Sequence, residues 1–407
     1  MTGARPRPLS IYLVAAEESG DALGATLVGA LRARYGGALT LAGVGGRAMA
    51  AAGIESPFAI EQLSIFGLSA IPRRLPLILR RIRQTAQAVV AARPDALVII
   101  DSPDFTHRVA RRVRRAAPGI PIVDYVSPSV WAWRSGRARA MRAYVDQVLA
   151  ILPFEPATHL KLGGPPCLYV GHPLVERLAE LRPDAADQQR RQAEPPIVLI
   201  LPGSRLSEVR RLLGIFDTAM AQVAERAGPM EAVLPTVPHL APYVRAAAAG
   251  WARPPRIVVD PAEKWMTFRR ARAALAASGT VTLELALAAV PTVAAYRLSP
   301  FEAMVARAVR LRKKLPSVIL ANLTLGENVF PEFLQEDCTP DRLAGALLPL
   351  LSDTPARRRQ TEALSRLDAI MGIGGAAPSA KAAAAILDLA ERGRRDFAAA
   401  SGASRPW

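Results

Sequence analysis

Ile197-Val-Leu-Ile-Leu-Pro-Gly-Ser-Arg-Leu-Ser-Glu208 decides the architecture. Ile197 to Leu201 are all apolar and follow the double proline Pro195-Pro196, so they read as a buried strand. Gly203 permits a tight turn, and a helical pattern starts close behind it. Strand, glycine turn and helix are the opening of a doubly wound α/β unit. Almost half of the chain precedes this opening, so it begins a second domain. Downstream, apolar runs at Glu231–Leu234, Arg256–Val259, Ala273–Ala277 and Thr292–Ala295 alternate with helical patterns. Upstream, the same alternation places strands at Ser10–Ala15, Leu39–Ala42, Ala96–Ile100, Ile120–Tyr125 and Gln147–Leu152, with a helix from about Asp21 to Tyr35. Leu181 to Pro196 is polar and ends in the two prolines, which reads as an interdomain linker. The expected fold class is α/β, with two Rossmann-like doubly wound domains facing a cleft, residues 1–180 and 196–365. A helical segment, 366–407, either packs back on the first domain or exchanges with a partner chain in a homodimer. No solenoid-type period is present.

Composition agrees. At 407 residues the chain exceeds one ordinary core, and 51% hydrophobic with 21% charged residues describes a globular protein. Cys167 and Cys338 lie far apart, with no metal-site or redox spacing, and suit a reduced compartment. The apolar run Ile11 to Ala16 is short and ends at Glu17-Glu18, a first strand rather than a signal peptide. No apolar stretch approaches a membrane span. A cytoplasmic location is expected. The formal net charge of +17 attracts polyanions in general: nucleic acid, anionic lipid or phosphorylated substrates. Neither zinc-finger spacing nor a basic motif interleaved with aromatics is present, so no specific nucleic-acid partner is expected.

The candidate site residues sit where strands end. Ala15-Ala-Glu-Glu-Ser-Gly-Asp21 puts Glu17 and Ser19 beside the first strand; Ser19 or Asp21 serves equally well as a helix N-cap. Gly43-Val-Gly-Gly-Arg-Ala48 matches the loose dinucleotide pattern G-x-G-x-x-A, but on the second strand, and reads as a tight glycine loop. Asp101 and Asp104 in Ile99-Ile-Asp-Ser-Pro-Asp-Phe105 place two carboxylates at one strand end, suited to removing a proton from a hydroxyl; a plain turn is the alternative. Tyr125-Val-Ser-Pro-Ser-Val-Trp-Ala-Trp-Arg134 offers Ser127, Trp133 and Arg134, where rings pack on sugar faces and arginine meets phosphate, or the tryptophans are core anchors. Gly203, Ser204 and Arg205 combine close-approaching amides, a helix N-terminus and a cationic fork, a diphosphate site without the Walker lysine. Ser278, Gly279 and Thr280 repeat the theme, and Glu284 one turn later suits a ribose diol or merely the helix dipole.

These blocks resemble the lipid-A-disaccharide synthase family. The matching stretches are AAEESGD, GVGGRAM, DSPDF, YVSPSVWAWR, LPFE from Leu152, GHPL from Gly171, LPGSR, SGTVTLE, Ala321-Asn322 and PEFLQ ending at Gln335. Ala16, Thr106 and Ala321 depart from the family's usual residues. The resemblance implies an inverting, metal-independent glycosyltransferase of the two-Rossmann "B" architecture, needing no cofactor, in lipid A biosynthesis. The implied donor is UDP-2,3-diacylglucosamine and the acceptor 2,3-diacylglucosamine 1-phosphate (lipid X), joined β-1,6 with release of UDP. It implies Asp104, ahead of Asp101, as base, Arg205 at the leaving diphosphate, Glu284 at the ribose, and Asn322 and Gln335 on the donor side. Glu17, Ser19, Ser127, Trp133 and Arg134 fall to the acceptor side. Competing readings are a nucleotide-sugar epimerase or another transferase of the same architecture, a nicotinamide oxidoreductase using the Gly43 loop, and a basic adaptor.

A membrane reading turns on residues 66–83. Leu75, Ile78, Leu79, Ile82, Ala86, Val89 and Val90 form one helical stripe, expected in the core. Leu68, Ile71 and Leu77, among Arg80, Arg81 and other arginines, form either a patch for an anionic leaflet or an ordinary solvated face. With the former, the protein associates peripherally with the inner membrane.

Overall fold

A computed structural model describes residues 8–63, 71–299, 304 and 316–402; side chains of 71–74 and 396–402 are outside the description. The chain divides into two compact units, 1–175 with 375–407, and 176–374.

The first unit is built on six parallel strands: β1 (Leu9–Ala15), β2 (Leu39–Val44), β3 (Ala96–Ile100), β4 (Ile122–Tyr125), β5 (Gln147–Ala150) and β6 (Cys167–Tyr169). Their order is β2-β1-β3-β4-β5-β6. Alternation along β1 explains the layers. Leu9, Ile11, Leu13 and Ala15 join one core, with Leu27 and Leu31 of the helix Glu18–Arg34 and Ala382, Ile386 and Ala390 of the last helix. Tyr12 and Val14 join the other, with Ile82, Ala86 and Val89 of the helix Ile71–Ala92 and Val109 and Val113 of the helix Pro103–Ala116. A sheet apolar on both faces needs such helices on both.

The second unit holds β7 (Ile197–Leu201), β8 (Glu231–Pro235), β9 (Arg256–Val258), β10 (Ala273–Ala277), β11 (Thr292–Tyr296) and β12 (Glu332–Leu334), all parallel, in the order β12-β11-β10-β7-β8-β9. Counted within the unit this is 3-2-1-4-5-6 read from its other edge, the dinucleotide-fold order. Its main core joins Val198, Ile200, Leu275 and Val293 of the sheet to Leu212, Phe216 and Val223 of the helix Leu206–Ala227. Each such side chain contributes about 1.5–3 kcal/mol on burial.

In both sheets the chain reverses its direction of progress once, between β1 and β3 and between β7 and β10. Ligands of open parallel sheets bind at the carboxyl ends of the strands beside that reversal.

Three expectations change. The segment 181–196 is not a linker. It contains the helix Ala185–Gln192, which is tied into the second unit. Arg191 is buried and donates to the carbonyls of Phe268, Arg269, Ala288 and Ala289, while Asp187 accepts from Arg269 and Arg270. Burial of this arginine lowers its pKa to about 10. The chain passes between units instead near 175 and 374. The helices Pro355–Ser365 and Leu367–Met371 belong to the second unit, and only the helix Pro378–Gly402 returns to the first. Leu75 is exposed rather than part of the core stripe.

Candidate active site

At the β1/β3 reversal of the first unit, Ser19 donates from Oγ to Asp101 Oδ2 at 3.1 Å. Asp101 also accepts from its neighbour Ser102 N at 2.7 Å. Asp101 and Ser102 have φ of +52° and +45°, a conformation costing of order 1–3 kcal/mol each for such residues. Two bonds hold it: Asp101 N to Tyr125 O at 3.0 Å, and Thr106 Oγ1 to Asp101 O at 2.7 Å. Glu17 is exposed just before the helix that carries Ser19.

Asp104 lies in the first turn of the helix Pro103–Ala116 with its carboxylate 80% exposed, 3.3 Å from Arg137 and 3.9 Å from Arg134. Arg134 has φ of +52°, and its guanidinium lies 4.3 Å from the ring centroid of exposed Trp133. Trp131 instead packs edge-on against Phe154. Ser127 is buried and bonds His159 Nε2 at 2.8 Å, so its hydroxyl serves the interior. Burial lowers the His159 pKa and pushes Glu155, which accepts from Leu152 N, up to about 7.

The glycine loop after β2 is closed. Asp21, nearly buried, accepts from the N–H groups of Gly46, Ala48 and Met49 at 2.7, 2.8 and 3.0 Å. A Cβ on Gly46 would stand 2.7 Å from the same carboxylate. The amides that would cradle a phosphate already hold a protein anion, so the nicotinamide reading has no seat there.

At the β7/β10 reversal of the second unit, the two glycine loops lie on adjacent strand ends, since Leu201 pairs with Ala276. Gly203 has φ of +117°, and a Cβ there would lie 2.5 Å from Glu208 Oε2. Arg205 is exposed; its guanidinium donates to Glu208 Oε1 at 2.9 Å, and its N–H to Glu208 Oε2 at 3.4 Å. Ser204, Gly279 and Thr280 are exposed, whereas Ser278 Oγ donates to Val318 O. Glu284 accepts from Lys264 Nζ at 2.8 Å, and that ammonium stands 4.1 Å from the centre of the Trp265 ring.

The remaining donor-side candidates are engaged by their own unit. Asn322 is buried; it accepts from Val329 N and Phe330 N and donates to Phe330 O and Ser317 Oγ. Gln335, with φ of +54°, accepts from Leu298 N at 2.6 Å. Both position loops at strand ends. Of the membrane candidates, Leu68 and the Ile71 side chain lie outside the described residues. Leu77 is half-buried, and Arg80 is exposed. Arg81 donates to Gln62 and Gln84 and stacks over Phe58, so it packs against the unit.

Sequence reasoning missed Asp21, on the helix Glu18–Arg34, as the anion inside the Gly43–Ala48 loop, the Glu208 and Lys264 partners, and the arginines Arg108, Arg111 and Arg137. The i, i+3 spacing of Arg108 with Arg111 was the available signal for that pair, whereas Arg134, with φ of +52°, precedes the helix that carries Arg137 and shares no helical face with it.

The family model for lipid-A-disaccharide synthetase matches residues 11–385. The chain belongs to that family. The lipid-A-disaccharide synthase of Rhodopseudomonas palustris (strain HaA2) is 58% identical over 388 residues, 95% of this chain and 97% of that protein. Among solved structures, the UDP-GlcNAc 2-epimerase from Neisseria meningitidis bound to UDP-GlcNAc covers 93% of this chain and 100% of its own at TM-score 0.61 and 13% identity. MurG of Acinetobacter baumannii covers 94% and 100% at TM-score 0.56 and 17% identity. These likenesses give the fold, two Rossmann-like units of the GT-B kind. Membership of the lipid-A-disaccharide synthetase family makes the chain a glycosyltransferase of lipid A biosynthesis. Among the described residues, no helix is long and apolar enough to cross a membrane.

Proposed function

We propose that the chain transfers 2,3-diacylglucosamine from UDP-2,3-diacylglucosamine to 2,3-diacylglucosamine 1-phosphate, forming the β-1,6 disaccharide 1-phosphate and UDP. In a chain of this family, the observation that carries the reading is the pair of glycine loops at adjacent strand ends, Gly203–Arg205 and Ser278–Thr280, with an exposed arginine at the first. Arg205 and the loop amides stabilise the departing diphosphate. Glu284, paired with Lys264, holds the ribose. A carboxylate of the first unit, Asp104 ahead of Asp101, takes the proton of the acceptor hydroxyl as it attacks the anomeric carbon. Glu17, Ser19, Trp133 and Arg134 contact the acceptor. The enzyme works peripherally at the cytoplasmic face of the inner membrane, with the apolar and basic stretch that includes Leu77 and Arg80 as its contact with the lipid.

The test mixes the two acylated glucosamine substrates without added metal and follows UDP release and product mass. UDP and a disaccharide 1-phosphate in equal amounts are expected; epimerisation of an unacylated UDP-GlcNAc in place of transfer would overturn the reading. Asp104→Asn should cut kcat more than tenfold in a folded protein, with near-normal turnover ending its role as base. Changing Leu68, Ile71 and Leu77 together to Ser should release the protein from phosphatidylglycerol vesicles in a sedimentation assay; unchanged binding would remove the patch.

A further inference from the structure

A cavity of about 220 Å³ opens in the first unit beside the amino-terminal half of the helix Pro103–Ala116. Asp104, His107, Arg108, Arg111, Arg134 and Arg137 line it. Its volume is several times the ~30 Å³ share of one liquid water, room enough for a small anion.

The charge within it is unbalanced. Four guanidinium groups face one carboxylate. Among the described residues, Asp104 is the one acidic side chain ion-paired with any of the four, through Arg134 and Arg137. Two of the arginines, Arg111 and Arg134, are held in place by rings. Arg111 donates to the Tyr144 hydroxyl at 3.2 Å and lies 4.7 Å from that ring's centre. The same hydroxyl is 3.1 Å from His107 Nδ1, and His107 Nε2 is 3.1 Å from the buried Asp124 carboxylate. Arg134 is held over Trp133. Rings fix a guanidinium without neutralising it, so its N–H fork stays available to an anion. Like charges gathered in a concave wall repel one another until an anion sits between them. A phosphate monoester carries about −1.5 to −2 charge near neutral pH and accepts paired N–H bonds from arginine forks.

We propose that this cavity seats the phosphate monoester of the acceptor and selects phosphorylated over dephosphorylated acceptors. The assignment rests on the transfer proposed above, in which the donor's diphosphate is read at Arg205 of the second unit, leaving the acceptor's phosphate as the anion for the first. The same chemistry is available from free phosphate or a lipid headgroup, and the test separates them.

The first measurement is kcat/KM for the acceptor bearing the 1-phosphate, divided by kcat/KM for the same acceptor with a free 1-hydroxyl. Wild-type protein should favour the phosphate at least a hundredfold. Arg108→Ala should lower that ratio at least tenfold, Arg108→Ala with Arg134→Ala should lower it further, and Arg108→Lys should restore part of it. Equal losses on both acceptors, with the ratio unchanged, would overturn the cavity while leaving the transfer standing. The second measurement needs no turnover: binding of glucosamine 1-phosphate and of inorganic phosphate by calorimetry, with UDP binding measured separately. Arg108→Ala should weaken glucosamine 1-phosphate at least tenfold and leave UDP unaffected. That result without transfer to either acceptor would sink the reaction and keep the phosphate seat. Displacement of glucosamine 1-phosphate by phosphatidylglycerol vesicles, lost in Arg108→Ala, would assign the cavity to lipid headgroups and overturn the acceptor proposal. Inorganic phosphate binding as tightly as glucosamine 1-phosphate would do the same in favour of the free ion.

Discussion

After β2, the amides of Gly46, Ala48 and Met49 converge on the carboxylate of Asp21, which is almost wholly buried. After β7, the turn at Gly203 leads to Arg205, whose side chain is 77% exposed, with the Glu208 carboxylate tucked behind it. Both loops are glycine turns between a parallel strand and a helix, and both obey the same preference of helix N-termini for anions. The first unit satisfies that preference with an aspartate from its own chain and makes the loop a structural joint. The second adds a guanidinium at the surface. A glycine pattern therefore reports backbone shape, and the charge brought to it by distant residues decides what it does.

The strongest attack on this contrast is Arg205→Ala. Removing a preorganised group that stabilises developing charge costs on the order of 10²–10³ in kcat, about 2.7–4 kcal/mol. We expect at least a hundredfold loss of kcat/KM for the UDP-sugar with an unchanged thermal transition. Wild-type kinetics in that variant would place the diphosphate elsewhere.

Asp21→Ala attacks the other loop. Three amides lose their acceptor in a buried setting, where one unsatisfied group costs about 1–3 kcal/mol. We expect about 3 kcal/mol less stability in urea unfolding, and a smaller loss for Asp21→Asn, which keeps one acceptor oxygen. Emptying the nest should also make it an anion site, so sulfate should raise the melting temperature of Asp21→Ala by more than it does the wild type's. Equal sulfate effects would show that the loop does not hold its shape without the aspartate.

How much of this was legible in the sequence follows from the range of the interactions. β3 and β7 are runs of apolar residues buried on both sides, and such runs announce themselves. β6 and β12 are three-residue edge strands with no alternation to read, and they were missed. The loops after β7 and β10 could be placed because their cues are local: glycine, a small hydroxyl, a helix start. The Asp21 contact joins residues more than a turn of sequence pattern can connect. The helix Ala185–Gln192 reads as a linker because its arginines, glutamines and single aspartate look solvated, while Arg191 is buried among four carbonyls. Asn322 matched the family at the level of residue type, yet its amide bonds the backbone around Phe330. The strain at Asp101 and Ser102 has no sequence signature, since neither is glycine.

Gly203→Ala is a narrower probe. At φ of +117° any side chain is strained, and the new methyl would press on Glu208 at 2.5 Å. Strain of about 1–3 kcal/mol would reshape the turn. We expect UDP to bind roughly tenfold more weakly, about 1.4 kcal/mol, by calorimetry. Gly46→Ala, which presses on Asp21 in the other loop, should lower stability and leave UDP affinity alone. Loss of UDP affinity in both variants would erase the distinction between the loops.

The finest test is Glu208→Gln. Glu208 does for Arg205 what Asp21 does for its amides, supplying a carboxylate in the absence of ligand, but it pairs with an exposed cation and so contributes only the few tenths of a kcal/mol usual for surface ion pairs. Glutamine retains an oxygen for the Arg205 N–H and removes the negative charge that would compete with the diphosphate proposed to bind there. UDP should therefore bind two- to threefold more tightly at low ionic strength, a difference that shrinks toward none as salt is raised, because exposed charges are screened. Were the carboxylate instead needed to aim the guanidinium, Glu208→Gln would weaken UDP at every salt concentration. The sign of that small change then says whether the second loop, like the first, is organised by its own acid or merely kept neutral by it.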